Sequence, residues 1–168
     1  MPTNTKEPSG PDLSALLEGL IEADIKFVLV GGLAAVIQGA PVTTMDVDIV
    51  HSQSPENISK LFDFLKSIGA FYRRIDDRVM EPNMEDLAGM GHALFATRLG
   101  PLDVLAAIEE GKVYDDLLED TIEIEFRGHV LRVLGLKTLI ELKKASKNTE
   151  DKRRLPVLEE TLRQLKET

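Results

Sequence analysis

The sequence predicts an α/β (α+β) fold, and three observations predict it. An apolar run, Phe27–Val30, passes through Gly31-Gly32 into a helix-compatible segment, Leu33–Gln38. Residues Asp46–Val50 and Thr121–Leu134 alternate with the period of a strand. Leucine-rich stretches toward both ends repeat every three or four residues, as amphipathic helices do.

In chain order, residues 1–10 (MPTNTKEPSG) read as a flexible lead-in, and 11–168 as one domain. Leu13, Leu16, Leu17, Leu20 and Ile21 form the apolar stripe of a first helix, with Asp12 as its N-cap. After the central run, Ser54 caps a second helix that has Pro55 in its first turn, a stripe of Ile58, Leu61, Phe62 and Leu65, and a stop at Gly69. Ala70–Arg74 reads as a short strand, and Ile75–Met90 as a loop with one helical turn. Ala93–Arg98 and Leu102–Ala106 are a pair of strands reversed at Leu99-Gly100-Pro101. Glu109–Asp120 is acidic and helix-compatible, and Thr121–Leu134 is a hairpin turning at Arg127-Gly128, with Glu123, Glu125 and Arg132 toward solvent. The C-terminal element, 135–168, is a helical pair: Leu136, Leu139, Ile140 and Leu142 are buried in its first member, and Leu155, Leu158, Leu162 and Leu165 in its second. His51, His92 and His129 lack metal-ligand spacing and read as surface side chains.

The chemistry concentrates between Phe27 and Val50. Glycines at the strand-to-helix junction let backbone approach a ligand, and the first N–H groups of a helix lack intrahelical partners, so this turn is either a phosphate site or a plain tight turn. Asp46 and Asp48 share one face of a strand. Two neighbouring carboxylates repel, so they either face water or share a cation, and Mg²⁺ commonly binds such a pair together with substrate phosphates. Asp103 lies among Leu102, Val104 and Leu105, where an unpaired carboxylate is costly; a shared metal or backbone N–H groups would satisfy it.

Gly31-Gly32, Gly39 and Thr44-x-Asp46-x-Asp48 resemble the signature of the DNA polymerase beta-type nucleotidyltransferase superfamily, in the form seen in small prokaryotic members and AbiEii-type toxins. The resemblance is strongest over residues 13–50 and returns at 102–106 and 131–151. It implies a short mixed β-sheet backed by helices, and transfer of a nucleoside monophosphate from an NTP to a hydroxyl acceptor. It further implies two Mg²⁺ ions on Asp46, Asp48 and Asp103, with nucleotide contacts from Gly31, Gly32, Thr44 and a lysine among Lys143, Lys144 and Lys147. Ser146-Lys147 followed by Asp151 looks like an altered form of a Gly-Arg-x-x-Asp segment that faces the nucleotide in relatives. A toxin role would bring an antitoxin-like protein partner. Two positions depart from the pattern: Gly32 stands where many members have serine, and Val42 where many have arginine. An inactive domain that binds nucleotide or protein and transfers nothing is therefore the competing expectation.

Cysteine is absent, which excludes disulfides, thiolate nucleophiles and Cys-based zinc sites. The net charge of −9 argues against a surface built broadly for nucleic acid. Residues 1–130 hold 23 acids against 10 bases, and residues 131–168 hold 6 against 10. That cationic end suits a triphosphate or an RNA end, or is a solvated helix face. With no long apolar run and a polar start, a cytoplasmic protein without membrane contact is expected. Transfer RNA, a protein hydroxyl and a small antibiotic-like alcohol all stay open as acceptors, and the nucleobase is undetermined.

Overall fold

The computed structural model describes residues 10–74 and 76–166, without the side chains of 150 and 151. Of the expected lead-in only Gly10 falls among them. Asp151 and Ile75 carry expectations that lie outside what is described.

Helix α1 (Leu13–Glu22) is capped by the Asp12 carboxylate, which accepts from the Ala15 N–H, and it buries Leu16, Leu17 and Leu20. Strand β1 (Phe27–Val30) is buried along its whole length, as its unbroken apolar sequence requires. Helix α2 (Gly31–Ile37) follows with no intervening loop, and β2 (Val47–His51) starts one residue after Asp46. Helix α3 (Pro55–Ser67) is capped by the Ser54 hydroxyl. Strand β3 is only Phe71–Tyr72, and the single helical turn of the polar loop is α4 (Met84–Ala88). Strands β4 (His92–Ala96) and β5 (Leu102–Leu105) form the expected antiparallel pair. The acidic segment holds α5 (Tyr114–Leu117) between two 3₁₀ turns. Strands β6 (Thr121–Phe126) and β7 (His129–Leu134) make the hairpin. Its turn residues Arg127 and Gly128 both have positive φ, the twist a tight hairpin needs.

The seven strands form one mixed sheet in the order β3-β4-β5-β2-β1-β7-β6. β2 runs parallel to β5 and antiparallel to β1, and β1 runs parallel to β7. The helical pair is α6 (Leu136–Ala145) and α7 (Thr149–Lys166), packed on each other, with α6 reaching α2. Gln38 fixes that contact: its amide donates to the carbonyls of Ala34 and Leu134, and its oxygen accepts from the Leu136 N–H. Among the described residues no helix is long and apolar enough to cross a membrane.

Two expectations are corrected. His51 is not at the surface but 2% exposed, with its ring nitrogens against the carbonyls of Leu105 and Leu87. Period two puts it on the same face as Val47 and Ile49, which is the core face. Leu165 is not buried but 49% exposed. In the last turn of α7, Arg163 and Lys166 share a groove with Lys137 and Ile140 of α6, and Leu165 lies outside that groove. Leu158 is fully covered, Leu155 and Leu162 partly, and Thr161 takes a buried place by returning its hydroxyl to the Val157 carbonyl.

Candidate active site

The site forms where the central strands meet the first helix turn after β1. Register decides it: Asp48 on β2 stands opposite Asp103 on the parallel neighbour β5, and opposite Val30 on β1. Paired residues on adjacent strands project to the same face. Asp46, two positions earlier, adds a third carboxylate to that face. Ligand oxygens of Asp46, Asp48 and Asp103 lie within 4.8 Å of one another. The three acids read from distant parts of the sequence thus meet.

Their crowding has an electrostatic consequence. Burial, then hydrogen bonding to Asp103 and the charges of Asp46 and Asp103, push the Asp48 carboxyl up to about 8. The Asp46 carboxyl is raised as well, by burial first and then by the charge of Asp103. Arg73 opposes both shifts. Its guanidinium donates to Asp103 Oδ1 at 2.5 Å, and its backbone N–H is held by the Leu94 carbonyl.

Gly31 completes the carboxylate wall from below. Its φ is +74°, and a Cβ built on it would overlap the Asp48 carboxylate, so both backbone and space demand glycine. Thr44 turns its hydroxyl to the Asp46 carbonyl at 3.4 Å. A Cβ on Gly32 would come within 3.0 Å of that hydroxyl and 3.1 Å of Arg154 Nη1.

Gly31, Gly32, Thr44, Asp46, Asp48 and Arg73 line a cavity of about 670 Å³, together with Lys143 from α6 and Arg154 from α7, while Asp103 meets Asp46 and Asp48 at its edge without forming part of the lining. That volume lies in the range of small-molecule sites. The three candidate lysines separate. Lys143 is half-buried and lines the cavity. Lys144 points to another groove, beside Glu159 at 3.8 Å, and Lys147 is exposed and outside the cavity lining.

Sequence reasoning missed Arg73, Arg154 and Glu109, all in the lining. Arg73 carries no local signal, because its position beside Asp103 follows from the order β3-β4-β5. Arg154 belongs to a basic run, Lys152-Arg153-Arg154, whose direction depends on how α7 docks.

No family model matches the sequence, and none of the curated proteins matches it. Solved structures do match. The lincosamide antibiotic adenylyltransferase LnuA, in its lincomycin-bound form, superposes with a TM-score of 0.59 at 11% identity, over 88% of this chain and 94% of that one.

The chain has a nucleotidyltransferase fold.

ANT(2")-Ia in complex with adenylyl-2"-tobramycin gives 0.54 at 15% identity, over 89% of each chain. An antigenic nucleotidyltransferase-like protein from Paracoccidioides brasiliensis gives 0.52 at 19%, over 86% of this chain and 72% of that one. At such identities the likeness concerns the nucleotidyltransferase fold, and the chemistry has to be argued from the side chains.

Proposed function

We propose that the protein transfers a nucleoside monophosphate from an NTP to the hydroxyl of a small polar molecule and releases pyrophosphate. The observation that carries this reading is the convergence of Asp46, Asp48 and Asp103 beside the Gly31-Gly32 turn, at a cavity that Lys143 and Arg154 also line.

The residues fit a divalent metal. Three hard oxygen donors lie within 4.8 Å, and burial first, with the neighbouring carboxylates adding to it, raises Asp46 and Asp48 from their ordinary values, a strain that a bound cation would relieve. When bound, Mg²⁺ would neutralise these carboxylates and polarise the phosphoryl oxygens. In the step itself, the acceptor oxygen bonds to the α-phosphorus while the bond to the bridging oxygen breaks. That electron pair leaves with pyrophosphate. Asp103 is assigned to receive the hydroxyl proton. The N–H groups of Gly31 and Gly32 and the Lys143 amine are assigned to the phosphate chain, where they hold it in line and offset its charge.

Three arguments favour a small acceptor. A net charge of −9 works against gathering a long polyanion. The cavity is of the size that takes small molecules. Two of the matched structures are named for antibiotic modification or hold an adenylylated antibiotic. The toxin role and the antitoxin-like partner rest on the sequence resemblance alone.

One observation favours the competing reading, a nucleotide-binding module without transfer: Arg73 already occupies a carboxylate oxygen of Asp103. Both readings are tested by titrating Mg²⁺ and each NTP into wild type and Asp48→Asn, then following label from α-labelled NTPs into amino- and hydroxyl-rich small molecules and transfer RNA. Transfer that requires Mg²⁺ and is lost in Asp48→Asn supports the enzyme. Metal-dependent binding with no transfer to any acceptor supports the module.

A further inference from the structure

The Gly31-Gly32 turn offers backbone N–H groups and no hydroxyl, and the loop before Asp46 carries Val42, whose side chain packs against the core. In sequence, this wall of the cavity lacks a cationic side chain. In space it has one. Arg154, 111 residues beyond Thr43, donates from Nη2 to the Thr43 carbonyl at 3.0 Å. Its Nη1 lies 3.1 Å from the point where a side chain on residue 32 would begin. The guanidinium therefore bridges the loop before Asp46 and the turn after β1, in the space a side chain at 32 would use.

We infer that Arg154 is a second phosphate-binding cation of this cavity beside Lys143, and that Gly32 is kept small so the guanidinium and the Thr44 hydroxyl can both lie over the turn. This deepens the proposed function and rests on it. The ligand chemistry is a polyphosphate chain. One carbonyl takes a single N–H of the five on a guanidinium, which leaves donors in a planar fork suited to two phosphate oxygens. Arg73, a further cation in the lining, is held by Asp103, on the opposite side of the carboxylates from the turn. Arg154 supplies from α7 the charge that a residue at 42, and the donor that a side chain at 32, would otherwise bring. Lysine at 154 would keep the charge and lose the fork.

The test uses inorganic tripolyphosphate with Mg²⁺, which removes the unknown base from the problem, followed by the four NTPs, all by calorimetry on the full chain. Arg154→Gln is expected to weaken tripolyphosphate about 10- to 100-fold, the size of a charge-assisted hydrogen bond or two. Mg²⁺ binding measured without phosphate should be retained, and Arg154→Lys should fall between. Gly32→Ala is expected to weaken the same ligand in wild type, because its methyl meets both the guanidinium and Thr44, and to weaken it by a smaller factor in the Arg154→Gln background, where only the Thr44 contact is left. Equal tripolyphosphate and NTP affinity in wild type and Arg154→Gln would overturn this inference and leave the enzyme reading standing. A wild type that binds neither polyphosphate would overturn both.

Discussion

Replacing Asp48 with asparagine keeps the shape of the central carboxylate and removes its charge. In the metal-free protein this should raise stability. Holding the carboxyl at about 8 instead of its ordinary 3.8 corresponds to ~6 kcal/mol against ionisation, at 1.36 kcal/mol for each tenfold step. The cavity is open to solvent and Arg73 stands nearby, so screening leaves ~2 to 3 kcal/mol as the working figure. The sign follows from proton counting. Between about pH 4 and pH 8 the folded chain keeps a proton here that the unfolded chain has lost, so wild-type stability falls as pH rises through that window. Asparagine does not titrate, and its advantage should be small near pH 5 and full at pH 8. For a domain of this size, ~2 to 3 kcal/mol is a rise of about 5 to 10 °C in Tm. Buried His51, whose ring is held below its ordinary value by burial, makes both proteins lose stability below about pH 6.5 and cancels in the comparison. Saturating Mg²⁺ should stabilise wild type and leave the variant unmoved. The assay is thermal unfolding with EDTA or Mg²⁺ at pH 5, 6.5 and 8. A variant less stable than wild type at pH 8 in EDTA would refute the claim that the three acids repel.

The neighbouring residues yield further expectations. Arg73→Gln removes the cation from Asp103; its Tm at pH 8 in EDTA should fall by ~1 to 2 kcal/mol equivalent, while calorimetry should show tighter Mg²⁺ binding because a competing charge has gone. Gly31→Ala meets both a positive φ and the Asp48 carboxylate; urea unfolding should show a loss of ~2 to 3 kcal/mol, and Mg²⁺ should no longer raise Tm. Gln38→Ala leaves the Leu134 carbonyl and the Leu136 N–H without their partner, a cost of about 2 kcal/mol in chemical unfolding, with slower transfer if α6 sets the position of Lys143. Leu158→Ala empties a fully covered site between α7 and the core; a loss of ~2 to 4 kcal/mol is expected by denaturant titration, and a near-neutral result would contradict the docking of α7.

Local pattern was enough for much of this molecule. The cap residues Asp12 and Ser54, the Arg127-Gly128 turn, and the strand-to-helix passage at Gly31 depend on neighbours within a few residues, and each stands where its sequence expects it. Period two alone put Asp46 and Asp48 on one face. Burial at the ends of elements was less legible: Leu165 follows the apolar spacing of α7 yet is half exposed, and His51 looks polar yet falls on the core face of β2.

What only the tertiary structure decided is which distant groups share the cavity. Asp48 meets Asp103 because β2 and β5 pair in a particular register, and one residue of slip would turn Asp103 to the opposite face. Arg73 reaches that carboxylate through two further strand pairings. Lys143 parts from Lys144 by the rotation of α6, Lys147 falls past the end of that helix, and Arg154 arrives over Gly32 by the docking of α7. Sequence spacing sets the direction of a side chain within its own element, but the placement of one element against another is set by packing and pairing across the whole chain. The three carboxylates were legible in the sequence, and of the cations that answer them only Lys143 was.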